Sequence, residues 1–314
     1  MSVIRSHGFM LYIFVASVAA QAVQAPTRAK LTKLDVKLET PKTYAMRERR
    51  DPKTGGLVTY DPLPRVAFIE SRAGIYDLSW IGEDGTRKRI TYQRPDSFDA
   101  IVRVDVTALT SGGYRYVYSV ENLAASGSNI RGFAVQTFSS TFTPIAQANV
   151  HVGQMKAPEF SAGTWWRFGL RPASPAESTE IAPGQLRTFE ADSAGPPGLV
   201  ECRAHGPLGM RGVGEEMPMA LENLLLGYSA WPHGKTVGPM NRLIGLSAAQ
   251  KVTQLHEWLP QFQVAGWISP PARTAYEEVL KGGDLQTLVP LVNRDVTSRR
   301  ISSEVAAIVR GLAR

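Results

Sequence analysis

The chain of 314 residues is 43% hydrophobic, a content that is ordinary for a globular protein with a large core and that argues against intrinsic disorder. At about 100 to 200 residues per domain, its length is typical of two domains. The formal net charge is +7, and much of the excess falls within residues 28–50, which excludes a nucleic-acid-binding domain with basic residues over a whole face.

The first segment has the pattern of a cleavable secretory signal peptide. Arg5 precedes an apolar run over residues 9–20, and small residues follow up to Ala22. Cleavage after Ala22 is favoured, because the alternative cut after Ala25 would leave Pro26 at the scissile bond. The run is shorter than the roughly 20 apolar residues of a permanent membrane helix. The sequence therefore predicts a secreted or periplasmic protein, with a bacterial periplasm or exterior as the simplest location.

A basic arm follows the predicted cleavage site. Residues 28–50 contain eight basic and three acidic residues. A charge run of this kind is usually a solvated surface. The alternative is that Lys30, Lys33 and Lys37 meet an anionic surface such as phospholipid or an acidic glycan. These three lysines are therefore candidate binding residues, and binding through them should weaken as salt is added.

The next region has the pattern of an antiparallel β-sandwich, because short alternating stretches are separated by turn residues. Tyr76, Leu78 and Trp80 share one face of a predicted strand, and a Gly-Glu-Asp-Gly turn leads back to a second strand at Ile90 and Tyr92. Further strands are predicted at residues 34–38, 102–106, 114–120, 130–135, 148–152, 165–170, 185–190 and 199–204.

The connections between these strands favour antiparallel pairing. No helix-length periodicity interrupts them, and parallel crossovers usually need a helix. Tyr114, Tyr116 and Tyr118 line one face and are predicted to be core residues. Residues 114–138 are interpreted as two neighbouring strands joined by a short exposed loop. The predicted fold is an immunoglobulin-like sandwich of about nine or ten strands, followed by a small helical bundle.

Four helices are predicted in the C-terminal part of the chain. Ser247 and Gln250 form a capping box, and the helix that they begin should end before Pro260. The other three helices begin at Ser269-Pro270, at Asp284 and at Ser302 or Ser303. The predicted organisation is a signal peptide (1–22), a basic arm with a first strand (23–50), a β-sandwich domain (51–205), a Gly/Pro-rich linker with a short helix (206–240) and a four-helix domain (241–314).

The strand pair at residues 114–122 and 130–135 is followed by Pro-Gly loops at residues 181–184 and 195–198. This combination resembles uncharacterised secreted bacterial β-sandwich proteins. The resemblance implies a sandwich over residues 65–205 and brings no activity, ligand or catalytic residue with it. The helical tail, with Gly-Trp-Ile between its first two helices, is similar to small helical modules appended to secreted proteins.

The sequence contains neither the Gly-x-Ser-x-Gly elbow of serine hydrolases nor a phosphate-binding glycine motif. Cys202 is the only cysteine, so no intramolecular disulfide can form. Its spacing from His205 puts the two side chains on opposite faces of a strand, which favours a buried apolar cysteine over a Cys-His dyad. The histidines lack metal-ligand spacing, and we expect no metal and no cofactor.

Aromatic residues provide the other candidate for binding. Trp165 and Trp166 lie on opposite faces if their segment is a strand, so that one enters the core. If Trp166 is the exposed one, its indole could stack on a sugar ring or a partner protein, although packing in the core or between domains is the more common role.

The leading hypothesis from the sequence is an exported, non-enzymatic binding or structural module that acts at the cell envelope on a glycan or a surface protein. Trp166, Lys30, Lys33 and Lys37 are its candidate binding residues. One alternative is a hydrolase of envelope polymers whose site is assembled from distant loops. Another is a subunit of a surface assembly, which an unpaired edge strand or an exposed apolar patch would indicate. Neither nucleic-acid binding nor a membrane-spanning segment is expected.

Overall fold

The structure is a computed structural model that describes residues 28–34, 37–70, 74–155, 162–171, 179–207, 209–210, 217–226 and 230–314. The predicted signal peptide lies outside the described residues. The strands are β1 (Arg47–Arg50), β2 (Leu57–Tyr60), β3 (Arg65–Glu70), β4 (Ile75–Ile81), β5 (Arg87–Gln93), β6 (Ala100–Ala108), β7 (Tyr114–Asn122), β8 (Gly132–Thr137), β9 (Thr143–Pro144), β10 (Val150–Met155), β11 (Thr164–Leu170), β12 (Leu186–Ser193), β13 (Pro197–His205), β14 (Gly209–Met210) and β15 (His233–Pro239). The α-helices are α1 (Met219–Glu222), α2 (Ala248–Val264), α3 (Pro270–Leu280), α4 (Leu288–Thr297) and α5 (Ser303–Leu312), and short 3-10 helices cover Asn241–Leu243 and Leu285–Thr287.

Two antiparallel sheets form the main sandwich. One has the strand order β10-β11-β8-β13-β15 and the other the order β6-β7-β12-β9. Their inner faces share an aromatic core, in which the rings of Tyr118, Phe133, Phe168 and Phe189 are fully buried with neighbouring centroids 5.3 to 6.2 Å apart. The predicted antiparallel sandwich followed by C-terminal helices is confirmed.

The connection between β7 and β8 differs from the prediction. The two strands were expected to be neighbours in one sheet, but β7 pairs with β6 and β12, whereas β8 pairs with β11 and β13 in the facing sheet. Every residue of β8 is buried, because the strand lies in the middle of the larger sheet with both of its faces covered.

A separate small sheet lies beside the sandwich, within the region predicted as one sandwich domain. The hairpin of β4 and β5 forms as predicted and is extended to the order β14-β5-β4-β3. Its buried side chains, including Tyr76, Leu78, Trp80 and Leu221 of α1, form a core of their own. A two-stranded hairpin of β1 and β2 completes this part of the chain. Of the strand predicted at residues 34–38, residues 35 and 36 lie outside the described residues, and residues 34, 37 and 38 are not in a strand.

The segment interpreted as a linker contributes a strand to the sandwich. Its predicted short helix is the single turn α1, and β15 pairs with β13 at the edge of the five-stranded sheet. A Cβ atom at Gly238 would lie 2.7 Å from the Val200 side chain and 3.0 Å from the Gln136 carbonyl oxygen. Glycine is therefore needed at this position for close packing between strands, so this glycine belongs to a strand and not to a linker.

The predicted helices form, with two differences. The helix expected to begin at Asp284 starts as the 3-10 turn Leu285–Thr287, and α4 follows it. The Ser247 hydroxyl accepts from the Gln250 amide and the Gln250 side chain accepts from the Ser247 amide, which is the predicted capping box. The first helix was expected to end before Pro260, yet α2 continues through this residue to Val264. Proline removes one backbone hydrogen bond. Burial of Leu255, Trp258, Leu259 and Phe262 on one face stabilises the helix on both sides of the proline.

The helices share the main core with the sandwich. Helix α5 packs against β6 and β13, and the buried face of α5 is continuous with the inner side chains of the sheets. That face consists of Val305, Ile308, Val309 and Leu312, as predicted. Among the described helices, none is long and apolar enough to cross a membrane.

Candidate ligand-binding cleft

The N-terminal segment, residues 28–34, bridges the edges of the two sandwich sheets. The Leu31 amide donates to the Ala100 carbonyl of β6 at 2.8 Å. Thr32 exchanges two backbone hydrogen bonds with His233 of β15, of 2.7 and 2.9 Å. The Leu31 side chain is buried between these edge strands. The segment is therefore docked on the protein body and is not a freely solvated arm.

The candidate lysines lie at different places along this segment. Lys33 Nζ is 2.7 Å from Asp99 Oδ1, and Lys30 Nζ is 3.4 Å from Asp99 Oδ2. The structure thus brings two of the three lysines together on one carboxylate. Lys37 is exposed and does not join them. Arg28, at the start of the segment, pairs instead with the buried Glu304.

A polar cleft of about 380 Å³ opens beside Lys33, between the small sheet and the main sandwich. One wall comes from β3 and β4, and the other from the loops at residues 94–99 and 125–127. The lining residues are Lys33, Leu34, Phe68, Gly74, Tyr76, Arg94, Asp96, Ser97, Asp99, Ala125, Ser126 and Gly127. Ligand sites are common at junctions of this kind, where two structural units meet.

Charged groups in the cleft are held in fixed geometry. Arg94 makes two parallel hydrogen bonds to Asp96, from Nε to Oδ1 at 2.8 Å and from Nη2 to Oδ2 at 2.6 Å, and Asp96 is only 2% exposed. The bond to Asp96 raises the pKa of the Arg94 guanidinium. Lys33 lowers the pKa of Asp99 through its hydrogen bond, and the charge of Lys30 adds to this effect. Both groups therefore stay charged at neutral pH.

Two hydrogen bonds with the Ser126 hydroxyl hold the backbone of Asp99 at the cleft wall. The Asp99 amide donates to Ser126 Oγ at 2.8 Å, and the Ser126 hydroxyl donates to the Asp99 carbonyl at 3.1 Å. Gly74, at the other wall, has a positive φ of 62°, and a Cβ atom there would lie 1.8 Å from Ser97 Oγ. Only glycine allows β4 to begin so close to the opposite loop. The two walls are thus held at a fixed separation.

An aromatic side chain borders the opening of the cleft. Phe68 is 49% exposed and meets the buried Tyr76 edge to face, with ring centroids 4.3 Å apart. The contact with Tyr76 fixes the orientation of the exposed ring. The cleft therefore offers a flat apolar surface close to a carboxylate, an ammonium group and hydroxyl groups.

Trp166 occupies a half-buried position inside the sandwich. Its indole packs against the main core, and its centroid lies 5.4 Å from that of Phe142. Trp165, on the other face of β11, is 1% exposed and clusters with Ala134 and Trp231. The two rings lie on opposite faces as predicted, and neither is fully exposed.

We expect Trp166→Ala to lower the free energy of unfolding by about 2 kcal/mol. Replacement of a fully buried aromatic residue with alanine lowers it by about 3 to 5 kcal/mol, and Trp166 is only half-buried. Trp166→Phe, which keeps an aromatic contact with Phe142, should cost under about 1 kcal/mol. Urea unfolding of the two variants measures the difference. A large loss of glycan binding with unchanged stability would instead place Trp166 in a binding site.

Cys202 and His205 lie on opposite sides of the five-stranded sheet. Cys202 is buried in the main core, where desolvation raises the pKa of its thiol to about 12. His205 stacks on Trp231 with ring centroids 4.2 Å apart and accepts a hydrogen bond from Arg167. The thiol is protonated and the imidazole is engaged elsewhere, so these two groups do not form a catalytic pair.

Within the described part of the chain, no group of His, Cys, Asp and Glu is arranged to hold a metal ion.

The cleft residues other than Lys33 were missed by the sequence-based search. Arg94, Asp96 and Asp99 follow β5 within six residues, and a charged loop between two apolar strands is a signal that could have been used. Phe68 gave no such signal, because its exposure depends on the edge position of β3.

No family model matches the sequence, and no curated protein matches it. Among solved structures, the chain is similar to an uncharacterized protein from Nocardia farcinica, whose crystal structure is described as revealing an immunoglobulin-like fold. The match has 13% sequence identity and a TM-score of 0.26, and covers 42% of this chain and 94% of the other. At this identity and TM-score, the likeness carries no argument about the fold or the function of this chain.

Proposed function

We propose that this chain is an exported binding module that holds a sugar ring of a cell-envelope glycan in the polar cleft. The observation that carries the proposal is that the ionised Asp99 and the half-exposed ring of Phe68 line the same cleft. A pyranose has an apolar face of C–H groups that packs on an aromatic ring, while its hydroxyl groups at the rim need hydrogen-bond acceptors and donors.

Each part of the cleft has a role in this proposal. Phe68 supplies the stacking surface, and the Asp99 carboxylate accepts hydrogen bonds from sugar hydroxyl groups, which are stronger than those to a neutral acceptor. Lys33 provides a positive charge for an acidic glycan, in agreement with the role expected of it from the sequence. Export is inferred from the signal-peptide pattern of residues 1–22, and an exported protein would meet envelope polymers.

The hydrolase alternative has one supporting feature, since two carboxylates line the same cleft. Glycoside hydrolysis needs one carboxyl group with a raised pKa to protonate the leaving oxygen. The pKa of Asp99 is instead lowered by Lys33, and Asp96 is engaged by both nitrogens of Arg94. The geometry therefore favours binding over cleavage.

A protein partner is a second candidate, favoured by a specific surface. The edge strand β3 and the hairpin strand β2 expose several apolar side chains, namely Leu57, Val58, Phe68 and Ile69. An exposed apolar edge of this kind is a common site of association between proteins. In this alternative, Phe68 would contact a protein and Asp99 would contribute little.

We expect Asp99→Asn and Phe68→Ala each to weaken retention on envelope polysaccharide about tenfold, which corresponds to about 1.4 kcal/mol. Retention of the mature protein on polysaccharide stripped of protein measures the effect. Asp84→Asn is the control for the aspartate, since Asp84 is also paired with a lysine, Lys88, at 2.7 Å but lies outside the cleft. Ile244→Ala is the control for loss of an exposed apolar side chain.

Equal retention of the cleft variants and their controls would reject the glycan site. Loss of retention in Phe68→Ala but not in Asp99→Asn, seen only on fractions that still contain protein, would support the protein partner instead. Release of soluble saccharide during the experiment would support the hydrolase.

A further inference from the structure

A second cavity lies on the other side of the N-terminal segment. This groove has a volume of about 370 Å³, within the range of about 300 to 1,000 Å³ that is common for small-molecule sites. The residues that line it are Ala29, Lys30, Leu31, Thr32, Val102, Glu201, His233, Gly234, Lys235, Pro260, Gln261, Val264, Ala265 and Trp267. It shares no lining residue with the polar cleft.

Three elements build the groove, and its surface is mainly apolar. The N-terminal segment forms one wall, β15 a second, and the C-terminal end of α2 the third. The Ala29 amide donates to the Ala265 carbonyl at 3.1 Å, which holds the first and third walls together. Val264 is 81% exposed, and the nearby Trp267 is almost completely buried. The Val264 side chain therefore exposes apolar surface to solvent on the wall of the groove, and a ligand could cover this surface.

Positive charge predominates among the charged lining groups. Lys30 and Lys235 are accompanied by one carboxylate, that of Glu201, which is 3.5 Å from the Lys235 ammonium. Lys30 also pairs with Asp99 of the polar cleft, with its Nζ 3.4 Å from Asp99 Oδ2. Both ion pairs are long and partly exposed, so each lysine can reorient toward a ligand anion at little cost.

We propose that this groove binds a long-chain fatty acid, with the acyl chain along Val264 and Trp267 and the carboxylate between Lys30 and Lys235. An acyl chain matches the apolar walls, because each methylene group removed from water strengthens binding about fourfold. A single anionic group matches the two lysines. This assignment does not rest on the glycan proposal, although Lys30 also pairs with Asp99 of the polar cleft.

The position of Trp267 provides a direct readout. A fatty acid that carries bromine on its chain quenches the fluorescence of a tryptophan that it touches, so binding in the groove should quench part of the emission in a saturable way. The titration uses the mature chain at concentrations below micelle formation. The unbrominated acid should compete, and the methyl ester of the same chain should bind at least about fivefold more weakly because it lacks the charge.

Val264→Glu tests the location of the site. The position is exposed, so the substitution should leave the fold intact, while a carboxylate on the apolar wall repels the ligand and should weaken binding at least about tenfold. Ile244→Glu is the matched control, since Ile244 is 62% exposed and does not line the groove.

Lys235→Gln tests recognition of the carboxylate. This variant should reduce the difference in affinity between the acid and its methyl ester.

Three results would overturn the proposal. These are quenching that does not saturate, equal weakening by Val264→Glu and Ile244→Glu, and equal affinity for the acid and its ester. The first would exclude binding, the second would exclude this groove as the site, and the third would exclude recognition of the carboxylate.

Discussion

Replacement of Glu304 with alanine is expected to lower the free energy of unfolding by about 3 kcal/mol, because it removes the buried partner of a partly buried ion pair and leaves a buried backbone amide without its acceptor. The Glu304 side chain is completely buried at the start of α5. Its Oε2 accepts from Arg28 at 3.0 Å, and its Oε1 accepts from the Val104 amide of β6 at 3.2 Å. Without this carboxylate, both donors lose their partner, and the helix, the sandwich and the N-terminal segment lose a shared contact.

Chemical denaturation of the wild type and the variant measures this loss. Glu257→Ala on the exposed face of α2 is the control and should change stability by under about 0.5 kcal/mol. Glu304→Gln keeps an acceptor for the Val104 amide and should cost less than Glu304→Ala. A loss below about 1 kcal/mol for Glu304→Ala would mean that α5 does not depend on this contact.

The protein is also expected to lose about 2 kcal/mol of stability between pH 7 and pH 5 through His205 alone. Burial lowers the pKa of His205 to about 3, and the positive charge of Arg167 contributes to the same effect. The imidazole is neutral, because its Nε2 accepts from Arg167 and its Nδ1 therefore donates to the Gly206 carbonyl at 2.8 Å. In the unfolded chain the ordinary histidine pKa is about 6.5. Below that pH the unfolded state binds a proton that the folded state does not, so stability falls as the pH decreases toward 3.

Unfolding curves at several pH values measure the slope, which should approach about 1.4 kcal/mol per pH unit below pH 6. In His205→Gln the free energy of unfolding should depend less on pH than in the wild type, whatever the stability of the variant at neutral pH. His256→Gln is the control for the substitution itself, since His256 is exposed on α2. Parallel profiles for the wild type and His205→Gln would contradict a buried neutral imidazole.

Local patterns were sufficient to predict most elements of the sandwich and the helices. The period-2 alternation around Tyr76, Val104 and Tyr118 identified strands with one buried face, and the capping box at Ser247 located the start of α2. These features depend on neighbouring residues alone. The assignment of β7 and β8 to facing sheets depends on long-range pairing, which no local pattern encodes.

Tertiary packing explains the remaining differences. Helix α2 continues past Pro260 because its buried face packs against the core, and β15 contains glycines because neighbouring strands approach it closely. The candidate cleft was missed for the same reason. Phe68, the loop at residues 94–99 and the loop at residues 125–127 come from separate segments, and the position of the small sheet beside the sandwich brings them together. Of the lysines chosen from charge alone, Lys33 lines this cleft and Lys30 the apolar groove, whereas Lys37 lines neither.

The most direct test of the glycan proposal is a nuclear magnetic resonance titration of isotope-labelled mature protein with soluble fragments of its own envelope glycan. Binding in the polar cleft predicts saturable shifts of backbone amide signals at Arg94 and at residues 33–34, 74–76, 96–99 and 125–127, with smaller shifts in Asp99→Asn at the same glycan concentration. An unchanged spectrum, or shifts confined to residues outside the cleft, would contradict the proposal.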